Sequence, residues 1–312
     1  SLRFGDSWFL CNYLFDCRYR SGHIGSEDTI LIQNHLLWRR NTKNRSGVNL
    51  IGAGSMIIVV MLIVSIFAPW LSRWGPTEID FTAFLSEPTV NHWLGTDGNG
   101  MDVWSRIVHG GRLDLSIGLV SVLIAVVVGS TFGAVVGYLG GWIEAVAMRI
   151  TDIMQAFPPF ILALTVSAMF GRDFIHLIFA IGLVFMPAYI RLMRSEIRAI
   201  RERAFIEAAE CAGNSAARIL FRHLFPNAMR PLLVIAPLNC GWAMLTLAGL
   251  SFLGLGVPVP EAEWGAMIST GAADVVGGRW WTSVFPGLAL FISVLGFNLI
   301  GEGVLERTNR RQ

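Results

Sequence analysis

An all-α integral membrane protein with six transmembrane helices, N-in and C-in, is the fold this sequence predicts, on three observations. Apolar residues make up 54% of the 312 and charged residues only 15%, against about 25% charge in a soluble domain, and mean hydropathy is +0.57. Six windows reach the roughly 20 mostly apolar residues that a spanning helix needs: 50–71, 113–138, 146–169, 174–193, 232–251 and 284–304. Arginines fall unevenly among the connections between them, and that bias sets orientation.

Residues 1–48 read as a cytoplasmic leader. The first 33 carry no clear pattern, and a short amphipathic surface helix and a disordered leader fit them equally. No cleavable signal peptide is visible, because the apolar patch from Trp8 to Phe15 is short and flanked by Asp6, Asp16 and Arg18. The run WRRNTKNR then sets Arg39, Arg40, Lys43 and Arg45 before the first window. Residues 72–112, with turn signals at Gly75-Pro76 and Gly95-Thr96-Asp97-Gly98, read as a small external cap. The second window is strongly apolar, and the third is weaker because Arg149, Asp152 and Gln155 occupy its first turns. Between the fourth and fifth windows, at 194–230, lies the most arginine-rich connection, a cytoplasmic loop. The connection SFLGLGVPVPEAEWGAM (251–267) is Gly- and Pro-rich and reads as an ordered re-entrant or surface loop. Arg307, Arg310 and Arg311 follow the last window and keep the C-terminal tail inside.

Several chemistries are excluded. The single lysine, Lys43, is not in a Gly-Lys-Ser/Thr context, so the chain cannot form a Walker-A phosphate loop by itself. There is no HExxH, no GxSxG and no metal-spaced histidine cluster, so no catalytic residue and no metal ligand is assigned. Cys11, Cys17, Cys211 and Cys240 lack zinc or CxxC spacing and are assigned no chemistry.

Within the windows, Gly129, Gly133 and Gly137 form a doubled GxxxG in the second helix. Such a face lets another backbone approach closely, either inside this chain or from a second transmembrane subunit. Arg149 and Asp152, three apart, share a face of the third helix; a packing pair and a proton relay that includes Glu302 are both compatible. Asp152, Gln155, Asn239 and Thr246 are candidates to line a central pathway, or satisfied core polar groups. Pro158-Pro159, Pro187 and Pro237 interrupt helices three, four and five, as in proteins whose helices kink or move.

The stretch EAAECAGNSAARILFRHLFPN, 207–227, is polar and alanine-rich between two spans. Alanines leave a helix slim enough to seat in a groove, and Gly213 offers a stop after about two turns. Spacing alone also permits an ordinary amphipathic connector.

Here the residues resemble a known pattern. Glu207, Ala208, Ala209 and Gly213, followed by Arg218, His223, Pro226 and Asn227, resemble the EAA loop of ABC importer permeases. Two further stretches, NHWLGTDGNGMDVWSRIVHGGRLDLSIG (91–118) and SFLGLGVPVPEAEWGAM, resemble the C-type permeases of dipeptide, oligopeptide and nickel importers. The resemblance covers roughly 35–305. It departs at Met101, where those permeases usually carry arginine, so a looser cap is expected, and the first 33 residues match nothing in the pattern.

The resemblance implies a type I importer permease fold in a bacterial inner membrane. It implies a transporter subunit and not an enzyme. Expected partners are a homologous B-type permease, two cytoplasmic ATP-binding cassette ATPases and an external solute-binding protein, with no nucleic acid. No cofactor is expected on this chain, ATP and magnesium being held by the ATPases. The EAA residues would dock on an ATPase, and the cargo would be di- or oligopeptides. A stand-alone ion-coupled transporter or channel is the rival reading.

Overall fold

The computed structural model describes residues 49–308; the expectations for 1–48 lie outside them. Nearly all of this region is helix. Helix α1 (Asn49–Ile66) is followed by a single turn at Ala68–Leu71. Then come α2 (Val103–Leu139), α3 (Gly141–Ala156), α4 (Pro159–Phe170) and α5 (Phe174–Arg201). A short α6 (Ala204–Cys211) precedes α7 (Ala216–Phe252), whose residues Ile219–Leu224 are π-helical. Helices α8 (Trp264–Val276) and α9 (Trp281–Thr308) complete the fold. The β structure in the described residues is two isolated bridges, Ile79 with Met101 and Thr96 with Asp102.

Helices α1, α2, α5, α7 and α9 are each long and apolar enough to cross a membrane, and α3 with α4 make a sixth span only as a pair bent by 93°. The single rod expected at 146–169 is therefore corrected to two helices. Phe157 and Pro158 are both extended, with ψ of 136° and 131°, because a residue preceding proline is pushed out of the helical region. Two such residues in succession turn the chain.

Two other expectations change. Helix α2 starts at Val103, not 113, so the cap ends at residue 102. At 37 residues α2 is about 55 Å long, well beyond a hydrocarbon core of about 30 Å, so its first turns stand outside. The expected loop between the last two spans also contains α8. Glu263 caps it, its carboxylate accepting from Gly265 N at 2.8 Å and Ala266 N at 2.7 Å. Burial pushes the Glu263 carboxyl above its usual value.

The core is built around α2 against α5, with α7 packed on both and on α9. The glycine face of α2 makes this possible. A Cβ on Gly129, Gly133 or Gly137 would lie 3.0, 2.5 or 2.9 Å from the carbonyl oxygens of Met186, Ile190 and Arg194. Of the two readings of this face, the structure places it inside the chain, on α5. Helix α1 joins through Gly54 and Gly296, each against the other helix's backbone or side chains.

The cap has a polar interior. His92 lies between Asp102 (3.0 Å) and Asp80 (3.4 Å) and stacks on Trp74, while hydrogen bonds from Thr82 hold the Asp80 carboxyl below its usual value. Asp102 caps α2 through Ser105 N at 2.7 Å. Arg106 donates to the carbonyls of Pro76, Pro260 and Glu261 at 3.0–3.2 Å and sits 3.6 Å from Asp97. Met101, expected to loosen the cap, is 4% exposed with its sulfur packed on Arg106.

Candidate functional site

The end of the molecule that arginine placement assigns to the cytoplasm carries α6. This helix has one buried residue, Ile206, which belongs to the hydrophobic core. Everything else on it is solvent-facing or nearly so: Glu207 and Ala208 are exposed, and Ala209 is half-buried. Alanines on an exposed face keep the helix thin, so a partner surface can reach its backbone.

Gly213 ends the helix. Its φ is +76°, with no atom within 4 Å of where a Cβ would be, the left-handed conformation that glycine adopts without penalty. Asn214 closes the turn, its Nδ2 donating to Ala209 O at 2.9 Å. Arg218 reaches Asn214 Oδ1 at 3.4 Å. Asn227 Nδ2 donates to His223 O at 2.7 Å, at the end of the π-helical turn within α7. Pro226 stands exposed in the first turn after it. Phe205 and Phe221, 44% and 49% exposed, lie on the two sides of the loop. The structure thus gathers the EAA residues and the His-Leu-Phe-Pro-Asn turn on one segment joining α5 to α7.

Behind α6 stands a ladder the sequence reading did not assemble. Arg191, Arg194, Arg198 and Arg201 recur at spacings of three and four along α5, which places them on one face. Arg191 Nη2 is 2.6 Å from Asp152 Oδ1. Arg194 pairs with Glu144, whose same carboxylate oxygen lies 3.0 Å from Arg198. Arg201 donates to Tyr138 O at 2.9 Å and sits over the Tyr138 ring. In the sequence, the spacing of three and four on one face is the signal that marks the ladder.

Residues 129–312 match the family described as binding-protein-dependent transport system inner membrane component. The chain belongs to that family. Among its relatives, the dipeptide transport system permease protein of Alkalihalophilus pseudofirmus is 40% identical over 267 residues, 86% of this chain and 88% of that protein. A probable D,D-dipeptide transport system permease protein of Escherichia coli is 40% identical, with 80% and 84% covered. The glutathione transport system permease protein of Pectobacterium atrosepticum is 34% identical, with 86% and 87% covered. The match makes this inner-membrane component a transport subunit, not an enzyme.

In this permease the pathway candidates have separate partners. Asp152 pairs with Arg191 on α5 and not with Arg149, which corrects the pairing expected from their i, i+3 spacing. The ion pair forms across helices because α3 crosses α5 there. Gln155 is exposed. Asn239 donates to the buried Tyr189 hydroxyl at 2.8 Å, and Thr246 bonds back to Trp242 O of its own helix. Glu302 is exposed on α9, and among the described residues it forms no ion pair with Arg149 or Asp152.

Proposed function

We propose that this permease is one half of the translocation pathway of an ATP-driven importer of di- or oligopeptides, and that α6 is the element through which an ATPase moves it. The observation that carries the reading is the Glu207–Ala208–Ala209 stretch, its first two residues exposed and its third half-buried, anchored by the buried Ile206 and continuous at both ends with spanning helices. The names of the relatives support peptides as cargo. A homologous permease, two cytoplasmic ATPases that hold ATP and magnesium, and an external solute-binding protein would complete the assembly, since a chain without a Walker-A lysine has no phosphate site of that kind.

In this reading, closure of the ATPases displaces α6, and the arginine ladder carries the displacement to α3 and to the bend at Pro158. The pore then exchanges between two packings whose populations the ATPases bias. Replacing Ala208 or Ala209 with tryptophan should reduce peptide uptake to background while the amount of protein in the membrane is unchanged. Normal uptake by both variants would remove the coupling role from α6.

A further inference from the structure

A cavity of about 700 Å³ lies at the opposite end from α6, within the roughly 300–1,000 Å³ typical of small-molecule sites. All three connections assigned to the external side contribute to it: Pro76 from the cap, Arg172 and Asp173 between α4 and α5, and Pro258 and Glu261 between α7 and α8. His109, Arg112 and Leu113 from the protruding start of α2 complete its wall.

Both signs of charge meet there, and the cations are already held. Arg112 donates from Nε to Ser65 O at 2.6 Å and from Nη2 to Ile66 O at 2.8 Å, so Nη1 keeps its hydrogens unused among the described residues. Arg172 is tied by Nη1 to Gly254 O at 2.9 Å, which leaves Nε and Nη2. His109 Nδ1 faces the Ser105 carbonyl at 2.9 Å. A carbonyl only accepts, so that nitrogen carries the proton and Nε2 of the neutral ring is an acceptor. The Asp173 side chain is 82% exposed, with one oxygen 3.4 Å from His176 Nδ1. The Glu261 carboxylate accepts no hydrogen bond among the described residues, although its main-chain oxygen is held by Arg106.

We propose that this cavity binds short peptides by their two free ends. The carboxylate would lie on Arg172 and Arg112, and the ammonium on Glu261, Asp173 and the His109 acceptor. A ligand of one sign leaves the opposite set unpaired, whereas a zwitterion answers both. Guanidinium groups tethered by main-chain carbonyls lose little freedom on binding. Solvent-exposed charge pairs contribute little each, so a millimolar dissociation constant is expected, suited to passage and not to capture. The inference rests on the peptide-importer reading for its choice of cargo.

The test is equilibrium dialysis of radiolabelled Ala-Ala against the full chain in lipid nanodiscs, beside N-acetyl-Ala-Ala and Ala-Ala amide. Ala-Ala should bind saturably, and each blocked peptide about tenfold more weakly. Arg172→Gln should narrow the difference between Ala-Ala and its amide, and Glu261→Gln that between Ala-Ala and its acetylated form. Equal binding of all three peptides, or no saturable binding, would overturn the site. So would variants that weaken only the docking of a solute-binding protein. Uptake of Ala-Ala by the assembled importer is measured in parallel. Uptake without end-specific binding removes the site and leaves the importer reading, whereas end-specific binding without uptake does the reverse.

Discussion

Glu144, in the first turn of α3, and Arg194, near the end of α5, form an ion pair that joins the bent span to the helix leading into α6. Arg198 reaches the same carboxylate oxygen at 3.0 Å, so one acid holds two guanidinium groups. The Glu144 side chain is 12% exposed and that of Arg194 28%, a shielded setting in which the interaction is worth more than at an open surface. Glu144→Ala should lower the stability of the solubilised permease by about 1.5–3 kcal/mol, the usual worth of hydrogen bonds to charged groups. Glu144→Gln, which retains an acceptor, should fall between Ala and wild type. Thermal unfolding followed by tryptophan fluorescence reads this, and identical midpoints for the three proteins would mean the pair holds nothing.

The glycine face of α2 gives a ranked prediction. A Cβ on Gly133 would approach the Ile190 carbonyl to 2.5 Å and its Cα to 3.0 Å, and backbone cannot swing away as a flexible side chain can. Overpacking of this kind costs about 1–3 kcal/mol. Gly287, on α9, has nothing within 4 Å of its added Cβ, and there the better helix propensity of alanine should stabilise slightly. Gly133→Ala should therefore reduce the folded yield while Gly287→Ala does not. The yield of monodisperse protein on size exclusion decides, and equal yields would contradict the close α2–α5 approach.

What could be read in the sequence divides along physical lines. Spans α1, α2, α5, α7 and α9 were legible because a bilayer demands a length of apolar residues that few other settings require. The α6 segment was legible because its charge and alanine content break that pattern, and Gly213 marks its end. Three features were hidden for a common reason: they depend on how helices cross. Asp152 takes Arg191 over Arg149, Glu144 gathers two arginines fifty or more positions away, and Arg106 ties the cap to a connection more than 150 positions on. The bend at Pro158 was visible as an interruption, but not as a right-angled turn. Helix α8 was masked by the prolines before it and by its N-cap, Glu263, which is not one of the Ser, Thr, Asp or Asn residues that usually mark a helix start.

At Gly213 the space is open and only the backbone conformation restricts the residue. Alanine in the left-handed region costs roughly 1–2 kcal/mol, whereas asparagine enters it more readily. Gly213→Ala should shift the end of α6 and reduce peptide uptake several-fold, with Gly213→Asn close to wild type. Membrane levels of both should be normal, since no packing is lost. Uptake that falls equally in the two variants would point to a need for glycine's small size against a partner, and not to its φ.

Arg106 offers the sharpest separation of the two ends of the molecule. It is 3% exposed, and its guanidinium ties the cap at Pro76 and Asp97 to the connection at Pro260 and Glu261. Arg106→Leu leaves those carbonyls without their donor and the Asp97 carboxylate without its countercharge 3.6 Å away, and removing one partner of a buried charge pair costs about 3–5 kcal/mol. Lysine restores the charge but not the planar fork that reaches several acceptors, so Arg106→Lys should recover only part of the loss. The damage should be local. Limited proteolysis is expected to cut the variant within residues 72–102 and at 253–262, while accessibility at α6 is unchanged. Arg73, exposed in the same cap, serves as control, since Arg73→Gln should stay within about 0.5 kcal/mol of wild type. Cleavage that leaves the cap intact in Arg106→Leu would show that the cap stands without its buried arginine.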